Sequence, residues 1–240
     1  MENWTGTLNS SHFWDCNGGG CDAGTLQPWN DAKYLYAPQY APLDPAKHGG
    51  AKYGEKMWMT GAASDALSHM LGPDAGNCGH SQEGGCGKCL LVSNPSARNS
   101  GWSAVVMKKN RCPPWSNGCD KPHFDLAVPG YDNLQYSTAN CCGSGSKENT
   151  YLSRSQSSVC GAWYTRGGST IEGCTQCGQL PSGPLRDGCS LFSAWGWTSG
   201  NPTLNYQVVD CPAAYVNIIA NAFGSSGIKP FNYVEYFLLQ

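Results

Sequence analysis

The clearest sign of a β fold is the stretch His123-Phe124-Asp125-Leu126-Ala127-Val128-Pro129-Gly130. It alternates like a half-buried strand and ends in a Pro-Gly turn. Such a strand points Asp125 away from the neighbours that enter the core. With five further short runs it predicts six strands, at Cys89–Val92, Ser103–Met107, Phe124–Val128, Tyr206–Val209, Tyr215–Phe223 and Tyr233–Leu239. Six short strands with irregular connections predict a mainly β fold, a closed six-stranded barrel that carries long loops.

Outside these runs the sequence predicts one helix. The segment Met57 to Leu71 has apolar residues at helical spacing, and Gly72-Pro73 stops it. The first fifty-odd residues are rich in Gly, Pro and Asn and are expected to form loops over the core. The stretch from Gly143 to Pro184 is irregular but contains three cysteines, so we expect a disulfide-pinned insertion within one catalytic domain that spans residues 1–240.

Cysteine usage indicates the compartment. The chain has 240 residues with 14 cysteines, 31 glycines and only 13% charged residues, which is typical of a secreted, crosslinked protein. Up to seven disulfides are possible, and spacing does not reveal their pairing. The two Cys-x-x-Cys pairs, Cys86–Cys89 and Cys174–Cys177, leave a zinc site as the alternative, but ten further cysteines favour disulfides and we expect no metal.

Charge and hydropathy exclude several partners. A formal charge of −2 without Lys/Arg runs offers nothing to nucleic acid, and no apolar stretch reaches membrane-spanning length. The start Met1-Glu2-Asn3-Trp4 has neither a basic region nor an apolar run, so we expect a mature form with an added Met. A monomer without nucleic-acid or membrane partners is expected.

Two aspartates in aromatic surroundings indicate the chemistry. Asp15 lies within His12-Phe13-Trp14-Asp15-Cys16, and Asp125 lies in the strand-like run. Glycoside hydrolysis needs one carboxyl to protonate the leaving oxygen and a second to activate water or attack the sugar. A carboxyl among rings and aliphatic side chains keeps its proton more easily. For either aspartate alone a turn former or a cap is the more common explanation, and that explanation weakens for the pair.

Three ordered motifs resemble glycoside hydrolase family 45 endoglucanases. They are Trp14-Asp15-Cys16, the His-Phe-Asp-Leu-Ala-Val-Pro-Gly stretch at mid-chain, and a late block from Gly188-Cys189-Ser190-Leu191-Phe192 to Asn201-Pro202-Thr203-Leu204-Asn205-Tyr206-Gln207-Val208-Val209-Asp210-Cys211-Pro212-Ala213. The similarity runs from about Phe13 to about Val216 and is thin between the motifs.

The resemblance implies a six-stranded double-psi β-barrel with an open cleft, inverting hydrolysis of internal β-1,4-glucosidic bonds, and no cofactor. By position, Asp125 corresponds to the general acid and Asp15 to the general base. In an inverting enzyme the two carboxyl groups stand about 6.5–9.5 Å apart, which leaves room for a water.

Three positions depart from the commonest pattern of that family. Phe13 stands where many members have Tyr, and Asp120 is a candidate for an auxiliary acid that many members carry before the His-Phe-Asp motif. Asn110, in Asn110-Arg111-Cys112-Pro113, resembles the animal and basidiomycete branches, where an Asn helps to hold the water or replaces the base. A turn Asn before a disulfide is the equally weighted alternative.

Nine tryptophans suggest sugar stacking as well as core packing. The expected substrate-binding residues are Phe13 and Trp14 beside Asp15, Trp115 in a polar loop, Asp120, and His123, which is placed to hydrogen-bond near the acid and is otherwise structural. Tryptophans expected in the core are Trp58, Trp195 and Trp197. The expected partner is a β-1,4-glucan such as cellulose.

Other classes of protein remain possible on the same fold. Expansin-like and loosenin-like proteins share the barrel and a His-Phe-Asp motif, and they bind cell walls without hydrolysis, but they usually lack a counterpart of Asp15. A barwin-like module explains the disulfides but not two placed aspartates. A lytic transglycosylase needs a single acid, so dispensability of Asp15 would favour that class.

Overall fold

Six strands form the framework of the protein. The computed structural model describes residues 4–13, 21, 42–75, 81–115, 118–128, 177–179 and 182–223. The strands are β1 (Gly6–Phe13), β2 (Met57–Ser64), β3 (Cys89–Ser93), β4 (Ser103–Cys112), β5 (His123–Ala127) and β6 (Thr203–Val209). They close into a barrel in the order β1-β5-β2-β4-β3-β6, so the prediction of a closed six-stranded β-barrel is confirmed.

Two of the six strand pairs are parallel. β1 runs parallel to β5 and β2 runs parallel to β4, while the other four pairs are antiparallel. Parallel neighbours cannot be joined by a tight hairpin, and in both of these pairs at least one other strand intervenes along the chain. This mixed, closed arrangement agrees with the double-psi barrel that the sequence resemblance implies.

The barrel interior is the main hydrophobic core. Every strand contributes alternate residues to it, including Leu8, Met59, Leu90, Val106, Phe124 and Leu204. Phe192, Trp195 and Trp197 join the same core, which confirms the assignment of both tryptophans. Side chains between these positions point outward, and on one side of the barrel they pack in a second cluster that includes Trp58 and Tyr215.

The segment predicted as one helix is a strand followed by a short helix. Met57–Ser64 forms β2, and only Asp65–Leu71 is helical, as α1. All eight residues of β2 are buried because both faces of this strand are covered, so its sequence lacks the alternation of a half-buried strand. Ser64 ends the strand and caps α1, its hydroxyl accepting a hydrogen bond from the amide of Leu67 at 3.2 Å.

Other predicted elements also need correction. The run from Tyr215 to Phe223 is not a strand but part of helix α3 (Ala213–Phe223), which places Tyr215 and Ile219, one turn apart, against the outer face of the barrel. The N-terminal region was expected to form loops, yet Gly6–Phe13 is β1, whose hydrogen bonds to β5 and β6 complete the closure. Helix α2 spans Pro184–Trp195. The predicted strand Tyr233–Leu239 lies outside the described residues.

Four disulfides join the described segments: Cys21–Cys86, Cys89–Cys211, Cys112–Cys119 and Cys177–Cys189. Cys86 and Cys89 bond to different partners, so that Cys-x-x-Cys pair is not a zinc site, as expected. Cys174 and most of the 143–184 segment lie outside the described residues. Among the residues described, no helix is long and apolar enough to cross a membrane.

Candidate active site

Asp125 faces outward from the barrel yet is buried. Its neighbours on β5, Phe124 and Leu126, enter the interior, so the strand alternation turns the carboxyl to the opposite face, as the sequence predicted. Only 6% of the residue is exposed. A carboxyl in this position is shielded from bulk water.

A hydrogen bond between His123 and Asp125 holds the carboxyl. The Nε2 atom of His123 lies 2.9 Å from Oδ1 of Asp125 and 2.8 Å from Oγ of Ser11. Protonated Nε2 donates to an ionised carboxylate, whereas bare Nε2 accepts from a protonated one. The contact therefore suits Asp125 in both states, which is what a group that gives up and regains a proton requires.

Strand register explains how these three residues meet. In the parallel pair of β1 and β5, Ser11 is the partner of Asp125 and Asn9 is the partner of His123. Ser64, at the end of β2, accepts a hydrogen bond from the backbone amide of His123 at 3.1 Å. The strand that carries the His-Phe-Asp motif is thus fixed to β1 on one side and to the start of α1 on the other.

Asn110 lies on the same outer face, two strands away from Asp125. Ala62 on β2 is in register with Asp125 on β5 and also with Asn110 on β4. Since neighbouring strands lie about 4.8 Å apart, the backbones of Asn110 and Asp125 are roughly 10 Å apart. The backbone amide of Arg111 donates to Oδ1 of Asn110 at 2.7 Å, which orients the side-chain amide.

A β-bulge makes this alignment possible. The pairing of β2 with β4 shifts between Gly61 and Ala62, so that Gly61 pairs with Lys108 while Ala62 pairs with Asn110. Lys109 is the extra residue on β4. Without the bulge Ala62 would pair with Lys109, and the Asn110 side chain would face the other side of the sheet at that level.

The disulfide Cys112–Cys119 packs over this row of residues. Its two sulfur atoms and a carboxylate oxygen of Asp125 all lie within 4.8 Å of one another. Among the described residues this is the one convergence of potential metal ligands, but disulfide-bonded sulfur is not available as thiolate. The group is therefore an apolar cover for Asp125 rather than a metal centre.

A charged cluster borders the row at the end of β4. The guanidinium of Arg111 makes two 2.7 Å contacts with the carboxylate of Asp65 and one 3.1 Å contact with Glu83. The hydrogen bond from Arg111 lowers the pKa of Asp65 below its ordinary value. Trp115, which is 80% exposed, has its ring centroid 5.9 Å from the same guanidinium. The indole predicted to bind sugar is thus presented to solvent.

The remaining predicted site residues have different positions. Asp120 is exposed in the turn between Cys119 and β5. Asp15, Trp14 and the side chain of Phe13 lie outside the described residues, so their roles stay predictions. Residues that sequence reasoning missed are Ser11, Ala62, Ser64 and Arg111, because their importance depends on strand register and not on any motif.

Comparisons with known proteins find a likeness in structure only. No family model and no curated protein matches the chain. Among solved structures, the chain is similar to a cellulase from the Antarctic springtail Cryptopygus antarcticus, with 17% identity, 89% of this chain and 95% of that chain covered, and a TM-score of 0.46.

Two further solved structures are similar. The GH45 endoglucanase EG27II in complex with cellobiose has 14% identity, 90% and 85% coverage of the two chains and a TM-score of 0.39. A β-1,4-D-endoglucanase from the blue mussel Mytilus edulis has 15% identity, 94% and 92% coverage and a TM-score of 0.39. EG27II carries the name of glycoside hydrolase family 45, the family that the sequence motifs resemble.

Proposed function

We propose that this protein is a secreted endo-β-1,4-glucanase of the family 45 type, which hydrolyses internal bonds of cellulose or related β-glucans with inversion. The observation that carries the proposal is the buried carboxyl of Asp125, held by His123 on the outer face of a closed six-stranded barrel. Asp125 would act as general acid.

The proposed reaction is a single displacement. Asp125 gives its proton to the glycosidic oxygen as the bond to the anomeric carbon breaks, and water attacks that carbon from the opposite face. Asp15 would take the proton of this water, so the product is the α-anomer. The reaction needs no cofactor, because the two side chains and water supply every proton and electron pair.

Chain connectivity supports a role for Asp15. Ser11 is in register with Asp125, and Asp15 follows Ser11 by only four residues. Four residues span at most about 14 Å, so the tether permits a carboxyl separation of about 6.5–9.5 Å. Asn110, on the same outer face as Asp125, is the proposed assistant that holds the water.

Secretion and a single domain belong to the same proposal. Four disulfides among the described residues suit an oxidising compartment. A monomeric catalytic domain over residues 1–240 and a polysaccharide partner complete the hypothesis. The competing function is non-hydrolytic binding of cell-wall polysaccharide, as in expansin-like and loosenin-like proteins, for which a buried His-Asp pair alone would suffice.

Incubation with cellohexaose and carboxymethylcellulose separates these functions. Reducing ends are counted, and NMR identifies the anomer released first. We expect α-anomeric products from the wild type, a loss of about 10²–10⁴-fold in Asp125→Asn, and a comparable loss in Asp15→Asn. Asp187→Asn, which alters an exposed carboxylate paired with Lys47, is the matched control and should retain full activity.

Each contrary result has a distinct meaning. Cellulose binding without any release of sugar by the wild type would favour the non-hydrolytic function. Wild-type rates in folded Asp125→Asn would remove Asp125 from the reaction. Full activity in Asp15→Asn would transfer the role of base to Asn110, or favour a mechanism with a single acid.

A further inference from the structure

The disulfide Cys112–Cys119 links the end of β4 to the turn that precedes β5. Cys112 is the last residue of β4, and Cys119 lies four residues before β5. In the barrel β2 separates β4 from β5, so the bond passes over β2. Both cysteines are almost fully buried, at 3% and 1% exposure, and they form a small apolar cluster with Ala62 of β2.

This cluster touches the proposed acid. Asp125 is in register with Ala62, and one of its carboxylate oxygens lies within 4.8 Å of both sulfur atoms. His123 holds Oδ1 through a hydrogen bond of 2.9 Å. The carboxyl therefore lies between the imidazole, with which it shares a hydrogen bond, and the sulfur atoms of the disulfide.

The chemistry of a disulfide suits such a contact. Sulfur in a disulfide carries no hydrogen to donate and accepts hydrogen bonds only weakly, so it excludes water without binding the carboxylate. Two alanines in its place would leave space into which the carboxyl can rotate or water can enter. Displacement of a reacting group by about 1 Å costs on the order of 100-fold in rate.

We propose that the Cys112–Cys119 disulfide is a positioning element for Asp125, one that holds the carboxyl in line with the leaving oxygen of the substrate. The inference rests on the proposed function of Asp125 as general acid. It assigns to this disulfide a part in proton donation in addition to any effect on stability.

The test compares two substrates that differ in their need for an acid. Cellohexaose requires protonation of its leaving sugar, whereas β-cellotriosyl fluoride releases fluoride without such help. In the double variant Cys112→Ala/Cys119→Ala, turnover of cellohexaose should fall by about 10- to 100-fold. Turnover of the fluoride should remain within about twofold, because fluoride leaves without a proton from Asp125.

A matched control is the double variant Cys177→Ala/Cys189→Ala, which removes the disulfide between residue 177 and helix α2. It should leave the ratio of the two rates unchanged. A purely structural role would lower both rates together in the disulfide variant, as the folded fraction falls, and that result would overturn the proposal. If Cys112→Ala/Cys119→Ala does not fold, Cys112→Ala/Cys119→Val restores part of the lost volume. The ratio of cellohexaose turnover to fluoride turnover in that variant then tests the proposal.

Failure of the inference is distinguishable from failure of the proposed function. If wild type hydrolyses neither substrate, or Asp125→Asn hydrolyses cellohexaose at the wild-type rate, then the acid role itself is wrong. If Asp125→Asn loses cellohexaose turnover and keeps fluoride turnover while the disulfide variant keeps both, only the positioning role is wrong.

Discussion

Asn110 and Asp125 occupy equivalent positions on either side of Ala62, with which each is paired in register. The alignment places both side chains on the outer face of the barrel at one level, about two strand spacings apart. A methyl group is all that the intervening strand contributes there. The Cys112–Cys119 disulfide packs on that methyl group, and its sulfur atoms lie within 4.8 Å of a carboxylate oxygen of Asp125.

Replacement of Asn110 tests this arrangement. We expect Asn110→Ala to lower kcat on cellohexaose by about 10- to 100-fold with little change in KM, because a water that is no longer oriented attacks less often. Steady-state kinetics with a thermal-unfolding check provide the measurement. Asn217→Ala, an exposed asparagine on α3, is the control. Unchanged kcat in folded Asn110→Ala would make Asn110 a structural residue only.

Trp115 should act on binding and not on the chemical step. Its ring is 80% exposed and lies against Arg111, so one face is available to a glucose ring. Trp115→Ala should raise KM for cellohexaose roughly tenfold, equivalent to about 1.4 kcal/mol, at constant kcat. Met70→Ala, which removes another exposed apolar side chain, should change neither constant. An unaltered KM in Trp115→Ala would exclude this indole from the binding site.

Gly61 is expected to accept no side chain. A Cβ atom at this position would lie 2.6 Å from the ring of Phe124 and 2.7 Å from the carbonyl oxygen of Asp125. Gly61→Ala must therefore push β5 away from β2, at a cost of about 1–3 kcal/mol in the free energy of unfolding. Because this shift also displaces the carboxyl of Asp125, kcat on cellohexaose should fall.

Urea unfolding and cellohexaose turnover measure both effects of Gly61→Ala. Gly101→Ala is the matched control, because a Cβ atom there meets nothing within 4 Å. Equal stability and activity in the two alanine variants would show that β5 tolerates the shift. The tight contact between β2 and β5 would then not be needed to position Asp125.

Lys108 should make stability depend on alkaline pH. Its side chain is fully buried, and its Nζ donates to Ser68, Ser81 and the carbonyl of Gly84. Burial lowers the pKa of Lys108 to about 8 from an ordinary value of 10.5, although nearby carboxylates oppose the shift. Between these values the unfolded chain binds the extra proton, so stability contributed by Lys108 rises with pH.

The measured quantity is the free energy of unfolding of the wild type minus that of Lys108→Met. Between pH 8 and pH 9.5 this difference should rise by about 2 kcal/mol. Below about pH 7 the difference should be constant, since the lysine is charged in both states. Urea unfolding at several pH values provides the measurement, with exposed Lys56→Met as control. A difference that is flat from pH 7.5 to 10, or that falls, would contradict the lowered pKa.

Local patterns predicted some elements well and others not at all. β5 was predictable because it alternates, with one face in the core and the other carrying His123 and Asp125. β2 was not, since its outward positions carry no charged residue that would mark an alternation, and its run also fits a helix. The run from Tyr215 to Phe223 likewise fits a strand or a helix. It forms part of α3, in which Tyr215 and Ile219 pack against the barrel.

The sequence by itself determined the pair of candidate aspartates, the crosslinked character of the protein and the outward direction of Asp125, because these depend on composition and on neighbours along the chain. The residues that surround the carboxyl of Asp125 can be identified only from the folded chain. Parallel pairing, a β-bulge and barrel closure bring Ser11, Ala62 and the Cys112–Cys119 disulfide next to Asp125, and they place Asn110 two strands away on the same face. Contacts between residues so distant in sequence depend on register across several strands, which no local pattern encodes.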